Sequence, residues 1–287
     1  MFSSKMYLPH EKLKDWIKVY WFLKGDGKDE HFYYNNLLPD GCATILLVLD
    51  GVFNLSDYYE DGVLSRGIYI IPPCKINNQL KFSNDIQMID IQLNPSIFYK
   101  LFKQPVSLLK NRVYTFEDLS LNFDQNILEQ IYNLSDSYKI INLLDRFLFN
   151  LFYKKDFYAD EIIVNINELY KIGDLDKFFN KQALSIRQLE RKVKEFTGLT
   201  PKTLSRTARF YSILEQIKFK EYNLNFTQLA FENKFSDQSH FIREFKSFTK
   251  TSPTKFVKDI RSFPQYMGIC NLTKISKFKS SVINREK

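Results

Sequence analysis

Short apolar runs separated by turn residues fill the first third of the chain, a pattern typical of β-strands. Residues 43–49 form one such run, which ends at Asp50-Gly51 and is followed by a second run over 52–55. Asp-Gly between two apolar runs predicts a β-hairpin, because a type I′ turn needs positive φ at both of its central residues.

Two more segments continue this strand pattern. Residues 67–71 predict a strand that Pro72-Pro73 ends. Within 85–93 the apolar positions change phase between Met88 and Ile89, which predicts a β-bulge with one extra residue. Strands at this density, with Gly and Asp turns between them, predict a small antiparallel sandwich or barrel over residues 1–120.

Helical signals begin after the strands. Asn94-Pro95 predicts an N-cap followed by proline at the first helical position, opening a short helix through Phe102. Residues 138–154 place apolar side chains three and four apart, which predicts an amphipathic helix. This helix belongs to a helical linker over 121–158. Its apolar face fits two roles equally: packing between the two domains, or forming a dimer interface. The chain stays helical in pattern to about residue 262.

Two segments of the second half, 174–201 and 227–253, read as copies of one unit. Each copy predicts a short helix, a tight turn and a capped second helix. The equivalent positions are Ser185 and Asp237, Leu189 and Phe241, Arg191 and Arg243, Val193 and Phe245, Lys194 and Lys246, and Pro201 and Pro253. The cap of the second copy is either Ser236 or Asp237.

The spacing within each second helix separates an inner from an outer face. Leu189 and Val193, like Phe241 and Phe245, are four residues apart and therefore face inward. The polar positions between them face outward, which is the layout of a helix-turn-helix whose second helix enters the major groove of DNA. An apolar stripe over 203–219 predicts a packed helix that connects the two units. An all-α domain with merely solvated arginines is the alternative, and two matching units count against it.

The net charge of +8 is concentrated in the second half of the chain. Residues 1–150 carry 15 Lys and Arg against 18 Asp and Glu, while residues 151–287 carry 26 against 15. A basic second half indicates that this half meets a polyanion. A lysine-rich solubilising surface is the alternative, and charge alone does not separate the two.

Composition narrows the class of protein further. Apolar residues make up 44% and charged residues 26%, as in soluble globular chains. No run approaches the roughly 20 apolar residues of a membrane helix, and charge interrupts the start before any signal-peptide core. Cys42, Cys74 and Cys270 lack metal-like spacing and fit a reducing compartment. The histidines, at positions 10, 31 and 240, are far apart in sequence, so we expect no metal and no cofactor.

Residues 160–260 resemble the DNA-binding domain of AraC/XylS-type transcription regulators. The matching residues are Ser185, Arg187-Gln188-Leu189-Glu190-Arg191, Thr197-Gly198-Leu199-Thr200-Pro201-Lys202, Arg209-Phe210, Leu229-Ala230, residues 235–246 and Ser252-Pro253. Leu38-Pro39-Asp40-Gly41-Cys42 and the strands after it resemble a poorly characterised β-rich domain that often precedes this one.

The resemblance completes the predicted fold, an α+β chain of two domains. The resemblance implies an effector-sensing or dimerising role for a cupin-like antiparallel barrel or sandwich over 1–120. The helical linker follows at 121–158. An all-α domain with two helix-turn-helix units on one long helix spans 159–264, and 265–287 is expected to be a mobile basic tail.

The chain departs from the family pattern near the end of the second unit. Lys234 stands where the turn usually has Gly, and Lys250 where a Gly precedes Ser-Pro. If these positions need positive φ, a residue other than Gly costs about 1 kcal/mol and leaves the second unit less rigid. Val257-Lys258 replaces the usual aromatic-Arg.

The outward positions give the candidate DNA contacts. Arginine pairs with guanine and glutamine with adenine in bidentate fashion, so these side chains suit base reading, while lysines suit phosphate. The predicted base contacts are Arg187, Gln188, Arg191, Gln238, Ser239 and Arg243. The predicted phosphate contacts are Lys192, Lys202, Arg206, His240 and Lys246. His240 is equally well explained as a residue that packs on Phe235.

The first domain is rich in aromatic residues, and Trp21, Tyr33 and Tyr69 are candidates for a ligand pocket. An aromatic core without any ligand explains them as well, and we favour it. Cys42 has no evident activating base, so a role as redox sensor is remote. His10 and His31 lack the paired spacing of metal-binding barrels.

These observations predict a cytoplasmic, nucleoid-associated, bacterial transcription regulator that binds two adjacent major-groove segments of double-stranded DNA and has no catalytic activity. Its expected partners are DNA, RNA polymerase and an unknown small-molecule effector, with no membrane, and it is a monomer or homodimer. One alternative is a protein-interaction module or ligand sensor with weak non-specific DNA binding. Another is an enzyme that uses the N-terminal barrel.

Overall fold

The computed structural model describes residues 3–27, 32–55, 62–73, 78–109, 112–119, 123–153, 161–219 and 225–262. Up to residue 93, the described residues form nine strands. They are β1 (Ser3–Tyr7), β2 (Ile17–Lys24), β3 (Phe32–Leu37), β4 (Thr44–Asp50), β5 (Phe53–Asn54), β6 (Val63–Leu64), β7 (Gly67–Ile71), β8 (Asn78–Ser83) and β9 (Gln87–Leu93). The predicted basic tail at 265–287, together with His31, Cys74 and Cys270, lies outside the described residues.

The strands form two antiparallel sheets, which confirms the predicted class of the first domain. One sheet has the order β1-β2-β9-β4-β7 and the other the order β3-β8-β5-β6. Apolar side chains fill the space between the sheets, among them Leu46, Val48, Phe53 and Phe82. Burial of this face stabilises the sandwich through the hydrophobic effect.

The predicted hairpin at Asp50-Gly51 is wrong, although Gly51 has the expected positive φ of 75°. β4 pairs with β7 and β9, whereas β5 pairs with β6 and β8 in the other sheet. The chain therefore crosses between sheets at this turn. A Cβ at position 51 would lie 2.7 Å from Cα of Ile86, so the crossing also needs glycine because of close backbone approach.

The bulge predicted between Met88 and Ile89 is also wrong. β9 keeps a regular register there, with Met88 opposite Leu23 and Ile89 opposite Phe22. The register shifts fall instead on the neighbours of β9, between Ile17 and Val19 in β2 and between Val48 and Asp50 in β4. β9 is a central strand with apolar side chains on both faces, and this two-sided burial imitates the phase change of a bulge.

Ten α-helices follow in the part of the chain that the structure describes. They are α1 (Ile97–Phe102), α2 (Gln125–Tyr132), α3 (Ser137–Tyr153), α4 (Glu161–Ile172), α5 (Leu175–Asn180), α6 (Ile186–Thr197), α7 (Pro201–Phe219), α8 (Phe226–Glu232), α9 (Gln238–Thr249) and α10 (Pro253–Ser262). α1 ends at Phe102 as predicted but begins after Ser96. Asn94 does not cap it, because its amide donates to the carbonyl of Lys14. None of the described helices is long and apolar enough to cross a membrane.

The outer face of the five-stranded sheet is covered by helices rather than by solvent. Side chains such as Tyr20, Ile45 and Ile91 pack there in one apolar cluster that continues through α1, α3 and α4. Tyr20 also donates a hydrogen bond of 2.7 Å to Asp145 of α3. The same cluster reaches Leu189 and Val193 of α6, so the sheet and the first C-terminal helices share one core.

A small polar cluster lies where the sheet meets these helices. Lys18 is at the register shift in β2, and its amine donates to the hydroxyl of Tyr170 at 2.9 Å and lies 3.9 Å from Asp40. A bulge re-aims a side chain, which explains how Lys18 reaches α4. Burial, and then the neighbouring Asp40 carboxylate, raise the pKa of Asp90 to about 7.

We predict that Asp90→Asn removes a pH dependence of folding. The pKa of an unfolded aspartate is about 3.9, so the folded chain binds this proton more tightly. That stabilisation is complete below the unfolded pKa and is lost as pH rises towards 7. Relative to the parent chain, the Asn variant should gain on the order of 4 kcal/mol in free energy of unfolding between pH 4 and pH 8. Urea unfolding at both pH values measures this.

The matched control is Asp85→Asn, which removes an exposed carboxylate on the preceding turn. The control should follow the parent chain at both pH values. A parallel shift for both variants would show that the buried position of Asp90 has no special effect.

Candidate nucleic-acid interface

The first helix-turn-helix unit consists of α5 and α6, each with a side-chain cap. Asp174 accepts a hydrogen bond from the backbone of Lys177 at 2.9 Å, which lowers the pKa of its carboxyl. Ser185 and Gln188 form a reciprocal capping box at the start of α6. Because two otherwise unpaired donors are satisfied there, the first turn of α6 has a fixed geometry.

The second unit consists of α8 and α9 and repeats this plan. Asn225 caps α8, and Asp237 accepts from the backbone of His240 at 2.7 Å to cap α9. Asp237 is thus the cap, and Ser236 instead bonds to Asp237 and to Nδ1 of His240. The backbone bond at the cap lowers the pKa of Asp237.

The predicted inner and outer faces are confirmed in both units. Leu189 and Val193 of α6, and Phe241 and Phe245 of α9, are buried. All six predicted base-contacting side chains are on the exposed face: Arg187, Gln188, Arg191, Gln238, Ser239 and Arg243. Two of them also have contacts within the chain, since Gln188 closes the capping box and Gln238 accepts from Thr227 at 3.3 Å.

The predicted phosphate contacts occupy more varied surroundings. Lys202 and Lys246 are exposed, and Lys192 is half-buried. The rings of His240 and Phe235 pack in a T-shaped arrangement, with their centres 5.3 Å apart. Arg206 donates to Glu244 of α9 at 2.6 Å, so its guanidinium already has an anionic partner.

The connecting helix α7 carries both units, as predicted. Leu204, Ala208, Leu214 and Ile217 are buried, and Tyr211 is half-buried. The second unit packs on α7 through aromatic rings, and Phe210 stacks on Phe248 with 4.4 Å between ring centres. Pro201 and Pro253 begin equivalent helices, α7 and α10, which extends the repeat beyond the recognition helices.

Positions 234 and 250 do need positive φ, which was the condition for backbone strain. Lys234 and Lys250 both adopt the left-handed conformation, with φ of 59° and 62°. The equivalent of Lys250 in the first unit is Gly198, with φ of 71°. Lys234 also forms an ion pair of 3.5 Å with Asp174, so its side chain joins the turn of the second unit to the first.

The first unit is fastened to the N-terminal domain. Tyr99 of α1 stacks on Phe196 of α6, with 4.3 Å between ring centres and 21° between planes. The short 3-10 helix Val106–Leu108 also packs against α6. A Cβ at Gly198 would lie 2.9 Å from the side chain of Val106, so glycine is needed there for both backbone and packing reasons.

Two of the candidate ligand residues of the N-terminal domain, Trp21 and Tyr69, lie well apart on the five-stranded sheet. Across the five-stranded sheet, Trp21 is opposite Asp90, Asp90 is opposite Leu46, and Leu46 is opposite Tyr69. Trp21 and Tyr69 are therefore three strands apart, about 14 Å. Both are half-buried on the inner face of the sandwich. The backbone of Tyr33 belongs to β3, and its side chain lies outside the described part of the chain.

Cys42 is buried beside the hydroxyl of Tyr170 at 3.3 Å. Burial, and then Asp40, raise the pKa of its thiol to about 12, so the thiolate needed for redox chemistry is disfavoured. Among the described residues no group of three His, Cys, Asp or Glu side chains could hold a metal ion.

The sequence missed the residues that hold the units in place. Glu244, Tyr99 and Val106 have roles that depend on contacts between distant segments. The periodicity of apolar residues shows which face of a helix or strand is buried. It does not show which distant segment packs against that face. Only the apolar stripe of α7 hinted that another surface covers it.

Comparison with known proteins follows the two parts of the chain. Residues 5–115 match a family described as a domain of unknown function (DUF6597), and residues 180–259 match a helix-turn-helix domain family. The HTH-type transcriptional activator RhaS of Escherichia coli O1:K1 is 28% identical over 151 residues, which are 53% of this chain and 45% of RhaS. RhaS of E. coli O157:H7 (strain EC4115) matches to the same extent. The chain spans about half the length of the curated relatives it matches.

Solved structures similar to this chain include ToxT from Vibrio cholerae. One covers 89% of this chain and 97% of ToxT at 16% identity, with a TM-score of 0.43. A fatty acid-bound ToxT from the same species covers 89% and 94% at 16% identity, with a TM-score of 0.44.

The C-terminal part of the chain is thus a helix-turn-helix domain, the class that both the paired units and the family match define. The domain is of the AraC type, as in transcription regulators, which confirms the resemblance identified from the sequence.

We predict that Lys250→Gly raises the free energy of unfolding by about 1 kcal/mol, because glycine adopts the left-handed backbone of position 250 without steric cost. Denaturant unfolding of the complete chain measures the change.

The control is Lys255→Gly, an exposed lysine within α10, which should instead lose about 1 kcal/mol. If both glycine variants destabilise the chain equally, the backbone at position 250 is not the source of strain.

Proposed function

We propose that the chain is a sequence-specific regulator of transcription that reads two adjacent major-groove segments of DNA with α6 and α9. The observation that carries this proposal is the pair of capped helices whose exposed faces present arginines at equivalent positions, Arg191 and Arg243. Two such helices on one connecting helix would enter successive turns of the groove, about 34 Å apart.

Base reading follows from the chemistry of the exposed side chains. Arg187 and Arg191 on α6, and Arg243 on α9, suit guanine O6 and N7, to which a guanidinium donates two hydrogen bonds. Gln238 suits adenine, while Ser239 accepts or donates to any base edge. Gln188 would read a base only by releasing its capping bond, so its contribution is smaller than that of the arginines.

Phosphate contacts would set the register of the protein on DNA. Lys202 and Lys246 are exposed and positively charged, and Lys192 extends from the same helix as Arg191. Ser239 and His240 lie in the first turn of α9, where backbone amides and the helix dipole favour an anion. These contacts give affinity and salt dependence without sequence preference.

The N-terminal domain would regulate this binding without catalysing a reaction. A small-molecule effector would lie between the two sheets, where Trp21, Asp90, Leu46 and Tyr69 form one row across four strands. Oδ1 of Asp90 is buried there and has no hydrogen-bond partner among the described residues, so a ligand donor would satisfy it. A regulator of this kind acts in the cytoplasm on RNA polymerase, as a monomer or homodimer.

The competing function is an interaction module with weak, non-specific DNA binding. The left-handed lysines 234 and 250 favour it, because they add strain to the second unit. The two functions differ in salt dependence: an interaction module would show a salt slope with no base preference.

The test is selection of bound sequences from a random duplex pool, using the complete chain near physiological salt. The complete chain is needed because α6 shares its core with the N-terminal domain. Enrichment of two short motifs about one turn apart is the expected result. Binding that appears only at low salt, with no motif enriched, would contradict the proposal.

We predict that Arg191→Ala and Arg243→Ala each weaken binding to the enriched sequence by about 1–3 kcal/mol and relax preference at one base. The two variants should affect different motifs, one under α6 and the other under α9. Competition binding against duplexes changed at single positions measures this. Equal weakening on every sequence would make both arginines phosphate contacts instead.

A further inference from the structure

Arg206 of α7 is fastened to the second recognition helix. Its Nε donates to Oε1 of Glu244 at 2.6 Å, and its Nη2 donates to the hydroxyl of Ser247 at 3.2 Å. The guanidinium carbon also lies 5.6 Å from the ring centre of Phe248. The side chain of Glu244 is only 13% exposed, whereas that of Arg206 is 33% exposed, so the carboxylate is the more shielded partner of the pair. The planar guanidinium fork thus contacts residues i, i+3 and i+4 of α9, which lie on one face of the helix within about one turn.

Two further contacts between α7 and α9 are between aromatic rings, without hydrogen bonds. Phe210 stacks on Phe248 with only 7° between the planes and meets Phe245 at 5.5 Å. Apolar burial holds the two helices together, but its free energy depends mainly on buried area and changes less with a small rotation of α9 than that of a hydrogen bond does. A charge-assisted hydrogen bond with fixed geometry does not tolerate that rotation.

The two units differ in how their recognition helices are supported. α6 packs on the N-terminal domain through Tyr99 and Val106. By the repeat, the position in α6 that corresponds to Glu244 is Lys192, so the first unit cannot form the same ion pair. Arg206 therefore does for α9 what the N-terminal domain does for α6.

We propose that Arg206 is a positioning residue that fixes the rotation of α9 through Glu244 and Ser247. This rotation aims Gln238, Ser239 and Arg243 at the second DNA segment, because Arg243 and Glu244 are adjacent and therefore point about 100° apart around the helix. The inference rests on the proposed DNA-binding function. It assigns to Arg206 a role in base selectivity rather than a contact with phosphate.

A positioning role and a phosphate contact make opposite demands on Glu244. If Arg206 contacts phosphate, the Glu244 carboxylate competes with the DNA, and its removal leaves affinity unchanged or raises it. If Arg206 positions α9, Glu244 is as necessary as Arg206 itself. The two side chains should then act as one unit.

The first experiment is a double-mutant cycle with Arg206→Ala, Glu244→Ala and the double variant, each binding the enriched duplex. We expect each single variant to lose about 10-fold in affinity, with the double variant losing no more than either one. The loss should fall on base preference under α9 and spare that under α6. Unchanged or increased affinity for Glu244→Ala would overturn the proposal.

Salt dependence gives a matched control on the same helix. Lys202→Ala removes an exposed lysine and should lower the slope of log affinity against log salt by about 0.9. Arg206→Ala should leave this slope as it is in the parent chain. A reduction for Arg206→Ala equal to that for Lys202→Ala would overturn the proposal.

A measurement without DNA separates this inference from the proposed function. Spin labels carried by unnatural amino acids at Glu190 of α6 and Lys246 of α9, both exposed, report the distance between the helices. We expect a narrow distribution in the parent chain and broader or shifted ones in Arg206→Ala and Glu244→Ala. Identical distributions would overturn the inference whatever the DNA result. Broadening in a chain that selects no sequence would overturn only the proposed function.

Discussion

The orientation of the first recognition helix depends on the packing of α6 against the N-terminal domain. Tyr99 stacks on Phe196, and Val106 fills the space left by Gly198, so the first recognition helix buries part of its surface outside its own unit. Burial of one large side chain is worth about 1.5–3 kcal/mol, enough to set the resting orientation of a short helix. The direction in which α6 points is therefore a property of the N-terminal domain, and displacement of α1 or of Val106–Leu108 would move it.

The second unit is mounted differently. Its core is a separate cluster of aromatic side chains, to which the N-terminal domain contributes Leu38. The hydroxyl of Tyr211 on α7 also donates to the carbonyl of Leu38 at 3.4 Å. A cavity of about 190 Å³ lies beside this contact, lined by Pro39, Gly41, Leu199 and residues of α7 and α9. The loop that precedes β4 thus contacts the second unit through Leu38 and the segment between α6 and α7 through Gly41, which lies close to Leu199.

Local signals in the sequence predicted most helices and strands of the fold. They failed where contacts with distant segments determine the pairing of a strand or the partner of a side chain. Caps such as Ser185, and the periodicity of α6 and α9, are set within a few residues, so they could be predicted. Asp50-Gly51 is an equally local signal, yet β5 pairs with β8 from elsewhere in the chain, and the hairpin does not form. The exposed base-contacting candidates followed from helix geometry. The partners of Arg206 could not be predicted, because no pattern in the sequence of α7 identifies a carboxylate on α9 as its partner.

We infer that α6 and α9 act as one rigid pair, because the N-terminal domain fixes α6 and α7 joins the two helices. The most direct test is affinity of the complete chain for duplexes in which base pairs are inserted between the two enriched motifs. Five inserted base pairs turn the second motif to about the opposite side of the DNA. The account predicts that affinity then falls to that of a duplex with one motif destroyed. Affinity that stays constant across insertions would contradict it, because the two units would then move independently.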